Sequence, residues 1–216
     1  MSLQRLHVLA PLTGVLFVVL AVLAFIISGE TPDTNDSPQK ILDFYVKNDS
    51  SQLWAGAVLA WSTVPLMFFM GVLRSTLRAA EGSIARLSAV AFGGGIVLVL
   101  GALSFAGFTF TLGDVADDGL TPQAAQALNA LNSDFFFPVA VGVATLMIAT
   151  TIATLGSRAL PAWLGWAALV IGIVALTPLG FFAFLAFLLW TIVTSIVLWR
   201  ARSAEPPATA PPAPVA

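Results

Sequence analysis

LSAVAFGGGIVLVLGALSFAGFTFTL, Leu87–Leu112, carries no ionisable side chain over 26 residues. As a helix rising about 1.5 Å per residue, it is longer than the ~30 Å hydrocarbon core of a bilayer. Arg86 stands before it and Asp114 follows it. Basic residues are retained on the cytoplasmic side of membrane spans, so this pair predicts a span running outward. The other segments can be placed relative to it.

The composition agrees. Of 216 residues, 58% are hydrophobic and 9% charged, and the mean hydropathy is +0.95. A soluble domain carries about a quarter charged residues, so the expectation is an integral membrane protein of one domain. With no cysteine, disulfides, thiolate metal sites, iron–sulfur clusters and thiol catalysis are excluded. The single histidine, His7, rules out bis-histidine haem ligation and argues against a histidine zinc site. No cofactor or metal is expected.

Backward from the organising span lies the most basic loop, with Arg74, Arg78 and Arg86 opposed only by Glu81. Before it comes a span at about 53–73 with Pro65 inside. An acidic loop from Gly29 to Gln52 precedes that. Ser37-Pro38 reads as an N-cap followed by a first-turn proline, and Ile41, Phe44 and Tyr45 share one face of the short helix it starts. The first span is about 8–28. Its apolar core is longer than that of a cleaved signal peptide, so a retained helix is expected.

Forward from the organising span, Thr121-Pro122 opens a second short amphipathic helix with Ala124, Leu128 and Leu131 on its apolar face. Spans at about 135–155, 162–177 and 181–199 follow. Arg158 ends the first of these, and Arg200 and Arg202 end the last. The segment 203–216 is rich in proline and alanine and reads as a disordered cytoplasmic tail.

Seven of the nine basic residues (Arg5, Arg74, Arg78, Arg86, Arg158, Arg200, Arg202) fall on one side of this arrangement. The expectation is therefore an all-α, six-transmembrane-helix bundle in the inner cell membrane. Both termini are cytoplasmic and the two short amphipathic helices form an extracytoplasmic cap.

The predicted membrane interior holds no Asp, Glu, Lys, Arg or His, which argues against a proton relay. Hydroxyls are what remains. Thr150, Thr151 and Thr154 lie in the inner half of the fourth span, and Thr191, Thr194 and Ser195 in the inner half of the sixth. Facing one another, they would line a small polar cleft. The competing reading is that each hydroxyl bonds its own helix carbonyl or a neighbouring helix.

Small residues mark packing stripes: Pro138, Gly142, Thr145 and Ala149 in the fourth span, and Gly165, Ala168, Gly172 and Ala175 in the fifth. Gly93-Gly94-Gly95 reads as a hinge or a helix crossing. The outer acids lack the ligand spacing of a calcium loop, and nothing resembles a nucleic-acid surface. Ser37-Pro38-Gln39 and Thr121-Pro122-Gln123 lie 84 residues apart, as do Asn48 and Asn132, and Arg74 and Arg158. The spacing suggests a duplicated helical hairpin unit, followed by a shorter third hairpin.

The run Leu160-Pro161-Ala162-Trp163-Leu164-Gly165-Trp166, the turn Thr177-Pro178-Leu179-Gly180 and the ending Leu189-Trp190…Ser195…Leu198-Trp199-Arg200 resemble an uncharacterised family of small multi-pass integral membrane proteins common in actinobacteria. The resemblance implies a bacterial multi-pass membrane protein; it carries over neither a function nor a catalytic residue. The expected function is non-enzymatic: binding of a membrane lipid, or of another membrane protein or a second copy of itself, through apolar faces and the cap. The alternative is a passive facilitator or small transporter of an uncharged or lipid-like solute.

Overall fold

The computed structural model describes residues 7–82 and 86–204. Arg5, Ser83 and the tail from 205 onward lie outside the described residues. The helices are α1 (Thr13–Ser28, led in by a 3-10 turn at Ala10–Leu12), α2 (Pro38–Lys47), α3 (Asp49–Glu81), α4 (Arg86–Val115), α5 (Pro122–Asp134), α6 (Phe136–Ser157), α7 (Ala162–Ala175) and α8 (Gly180–Ser203). Among the described residues there is no strand.

Five helical segments are long and apolar enough to cross a bilayer: His7–Ser28, Asp49–Glu81, Arg86–Val115, Pro122–Ser157 (α5 running into α6) and Gly180–Ser203. The exception is α7. Its 14 residues reach about 21 Å, short of a bilayer core. One helix runs well past the span read from hydropathy. α3 continues through Arg74 and Arg78 to Glu81, because nothing in that stretch breaks a helix before Gly82, whose φ is +65°. Glu81 then caps the next helix, accepting from the Ser88 amide at 2.9 Å and from its hydroxyl at 3.2 Å. Arg74 lies 4.9 Å above the Phe92 ring, pinning α3 to α4 at the same end.

The long helices form a ring in chain order. α1 packs on α3, α3 on α4, α4 on α6, α6 on α7, α7 on α8, and α8 closes on α1. Three hairpins thus stand around one axis, and α6 also touches α3 and α8 across the middle.

Glycine brings one side of this ring into backbone contact. A Cβ on Gly94 would lie 2.5 Å from the Leu146 nitrogen, and one on Gly101 2.7 Å from the Val139 nitrogen. One on Gly142 would collide with the Leu98 backbone. On the α3 side, a Cβ on Gly56 would lie 2.7 Å from the Ala106 carbonyl oxygen, and one on Gly113 2.7 Å from that of Asp49. Within the glycine triplet, Gly94 faces α6, Gly95 faces Met70 of α3, and Gly93 touches nothing. The triplet is therefore a crossing inside a continuous helix. Gly165 and Gly172 of α7 rest on Thr154 and on Met147 and Ile148, and Ala149 and Ala168 are buried.

At one end α2 and α5 lie against each other as a cap. Ser37 and Thr121 accept hydrogen bonds from the amides of Lys40 and Ala124, and a proline follows each in the first turn. Ile41 and Tyr45 are fully buried over Leu112 and Ala125. The buried face of α5 overlaps the apolar stripe in its sequence only in part: Leu128 packs against this core. Leu131 is 40% exposed, while Ala125, Asn129 and Asn132 point inward. Hydrogen bonding turned the helix: Asn129 accepts from the Tyr45 hydroxyl at 2.6 Å and donates to the Pro32 carbonyl at 3.3 Å. Tyr45 and Asn129 are 84 positions apart, so the residues in contact match in the proposed repeat.

Candidate functional site

Beneath the cap lies a cavity of about 530 Å³. Its floor is apolar and aromatic: Ala24 and Phe25 from α1, Leu59 from α3, Ala102 and Phe105 from α4, Phe136 and Val139 from α6, and Phe181 and Phe184 from α8. Its rim is polar: Ser28 from the end of α1, Glu30 and Thr31 from the α1–α2 connection, Thr109 from α4, and Asn129, Asn132 and Ser133 from α5. Among the described residues, no basic one lines it.

Each wall has a local cause. α1 stops at Gly29, whose φ of +65° turns the chain across the cavity mouth. Gln52 ties that turn down, donating to the Ser28 carbonyl at 2.9 Å. α5 is held over the mouth by the Tyr45–Asn129 and Asn129–Pro32 bonds. Asn132 donates to the Thr109 hydroxyl at 3.3 Å, and Thr109 donates to the Phe105 carbonyl at 3.0 Å. The Asn132 carbonyl oxygen has no partner although the residue is 7% exposed. It is a buried acceptor at the junction of rim and floor.

Phe136 and Phe181, 6.0 Å apart between centroids, also line a second cavity of about 700 Å³ on the other side of that pair. This notch exists because α7 is short. The chain turns at Leu176–Leu179 and starts α8 with Gly180 beside Ala140, one turn into α6. The outer end of α6 is left uncovered there, with Phe137 76% exposed.

The hydroxyls singled out in the sequence lie toward the opposite end. Thr150, Thr154, Thr191, Thr194 and Ser195 are all 0–1% exposed, and none of their hydroxyl oxygens has a hydrogen-bond partner. Only their neighbour Thr151 makes the helix-carbonyl bond, to Met147 at 2.9 Å, with a second to the Gly165 carbonyl at 3.0 Å. Two of the five face different helices. Thr154 sets its methyl against Gly165 of α7, and Ser195 abuts Gly14 of α1. Thr154 also lines a crevice of about 530 Å³ between the ends of α6 and α8, with Arg158 among its lining residues.

No protein-family model, curated protein or solved structure matches the chain. Its all-helical architecture, with five apolar helices of spanning length, fits a multi-pass membrane protein.

The sequence reading missed the cap-end cavity. Its signal was faint: Asn129 and Asn132, spaced to share a face, on a helix whose apolar stripe pointed elsewhere. Six elements contribute to its walls, and no local pattern announces such a convergence.

Proposed function

We propose that this chain is a six-span, non-enzymatic protein of the cell membrane that holds one lipid-like amphiphile in the cap-end cavity. The observation that carries the reading is the division of that cavity into an aromatic floor and a hydrogen-bonding rim. An acyl or isoprenoid chain would lie against Phe105, Phe136 and Phe184. A head group bearing hydroxyls would meet Asn132, Thr109 and Glu30. With no cation in the lining, an uncharged head group suits it better than an anionic one. The notch beside α7 offers entry from the bilayer, with Phe136 and Phe181 between it and the cavity. In this reading α7 is the fifth of the six spans, shortened to make that notch. Both termini and the arginines are cytoplasmic, and the cap is outside.

Native mass spectrometry of gently extracted protein tests this. A bound mass of lipid size is expected, and Ala102→Phe, which fills the floor, should remove it while the thermal midpoint holds. A bound subunit or second copy in its place would refute the lipid reading. Absence of any adduct, or a number of bound lipids that Ala102→Phe leaves unchanged, would refute the site. Cysteines placed at Asp36 and Ser83 test orientation: an impermeant thiol reagent should label the first in intact cells and not the second.

A second reading, passive passage of an uncharged solute, draws on the five unpartnered hydroxyls and the crevice beyond them. Solute flux through the purified protein in liposomes separates the two, because a binding protein gives none.

A further inference from the structure

The crevice at the arginine end differs in chemistry from the cap-end cavity. It is bounded by the C-terminal turn of α6, the first residues of α7 and the last turns of α8. Leu155, Val197 and Leu198 make its walls apolar. Three features of its polar side favour an anion.

First, Arg158 lines it, exposed, with no ion pair among the described residues. Its backbone is left-handed, with φ +58°, and its amide closes α6 by donating to the Thr154 carbonyl at 2.8 Å. A guanidinium is the group best shaped to grip phosphate with two parallel bonds. Second, Pro161 and Ala162, where α7 begins, line the same crevice. The first-turn amides of a helix lack the usual i−4 partner, although here the Leu164 amide turns back to the Pro161 carbonyl at 2.9 Å, and the helix dipole is positive there. Third, Thr154 lines the crevice with a buried hydroxyl that has no partner.

We infer that this crevice binds the phosphate head group of an anionic membrane lipid. Arg158 and the start of α7 hold the phosphate, Thr154 adds a hydrogen bond from within, and the apolar walls carry the upper part of an acyl chain. The inference rests on the membrane reading above and is independent of the cap-end amphiphile. The apolar walls favour a lipid over free phosphate, which would leave them unoccupied.

The test uses the full chain in neutral detergent, titrated with phosphatidylglycerol or phosphatidylcholine and read by native mass spectrometry. Phosphatidylglycerol should bind about tenfold more tightly, a difference of about 1.4 kcal/mol. Arg158→Gly removes the charge and suits the left-handed backbone, so the fold should persist while the preference disappears. Arg200→Gln, a neighbouring cation outside the crevice lining, should keep the preference, and Thr154→Val should weaken it a few-fold. Equal binding of the two lipids, a preference that survives Arg158→Gly, or equal loss in Arg200→Gln would overturn the site. Displacement of the lipid by millimolar inorganic phosphate would overturn the lipid assignment in favour of a free anion. Ala102→Phe should leave this binding unchanged, which separates failure here from failure of the cap-end reading.

Discussion

Along α3, α4 and α6 the helices meet backbone to backbone, through Gly56, Gly94, Gly101, Gly113 and Gly142. α8 meets its neighbours through rings. Phe187 packs on Phe17 at 6.3 Å, and Phe184 on Phe25 at 6.1 Å and on Phe136 at 5.9 Å. Lipid gives helices no hydrophobic reason to associate, so close approach over small residues holds the first group together. Rings keep the second group apart. Both cavities and the crevice border α6 or α8, and only the cap-end cavity also reaches the glycine seam, where Ala102 and Val139 line it beside Gly101. Away from the cap end, tight helix contact and room for a ligand thus fall on different sides of one ring.

The largest expected effect is on the seam. Gly142→Leu must push α6 away from the Leu98 backbone, and overpacking of this kind costs about 1–3 kcal/mol or more. Loss of monodisperse protein on gel filtration, or a sharply lower thermal midpoint, is expected. Gly93→Ala, on the open face of the same crossing, should stabilise by up to about 1 kcal/mol through helix propensity. If Gly142→Leu were tolerated as well as Gly93→Ala, the seam would not be what holds these helices together.

The cap comes next. Tyr45 is the sole tyrosine, and burial pushes its phenol up to about 12. An undocked α2 would leave it near the ordinary value of about 10. The raised folded value means that the unfolded chain releases this proton first as pH rises. The stability contributed by the buried phenol is intact below about pH 10 and is lost between about 10 and 12. Tyrosinate absorbance should therefore show one late transition, coincident with loss of the cap. Tyr45→Phe leaves the Asn129 oxygen buried without its donor, at a cost of about 1–3 kcal/mol. It should raise amide exchange in α2 and α5 without disturbing α4. A tyrosine titrating near its ordinary value in folded protein would show that α2 does not dock.

Sequence and structure part company at identifiable places. The cap helices were legible because Ser37-Pro38 and Thr121-Pro122 set their starts locally, whatever they later pack against. The stripes through Gly142, Gly165 and Gly172 were legible because small residues recur at helical spacing. What Gly142 touches was not, since contact with Leu98 depends on how α4 crosses α6. The end of α3 was hidden for another reason: hydropathy falls at Arg74, but helix propensity does not. The buried face of α5 was misread because hydrophobicity ranked Leu131 above Asn132. Once Tyr45 and Thr109 lie within reach, two amides that find partners can face inward in place of one leucine.

The smallest effects concern the threonines of α6 and α8, and they carry the comparison inside the bundle. Thr151 bridges Met147 and Gly165, so Thr151→Val removes a bond between α6 and α7. Interhelical hydrogen bonds in membranes average about 0.6 kcal/mol, and a midpoint drop of that order is expected. Thr191 is equally buried and has no partner. Valine has nearly its shape and leaves no hydroxyl to be satisfied, so Thr191→Val should be neutral or stabilising, by up to about 1 kcal/mol. Opposite signs at two buried threonines would mean that the α6–α7 contact uses its hydroxyl for cohesion, whereas α8 keeps one at some expense of stability. A residue retained against stability points to function. Liposome flux in Thr191→Val then distinguishes a solute path, in which flux falls as stability rises, from a hydroxyl with no role in passage. Equal destabilisation at both sites would show that Thr191 is satisfied after all, and the hydroxyls would be packing groups like the glycines beside them.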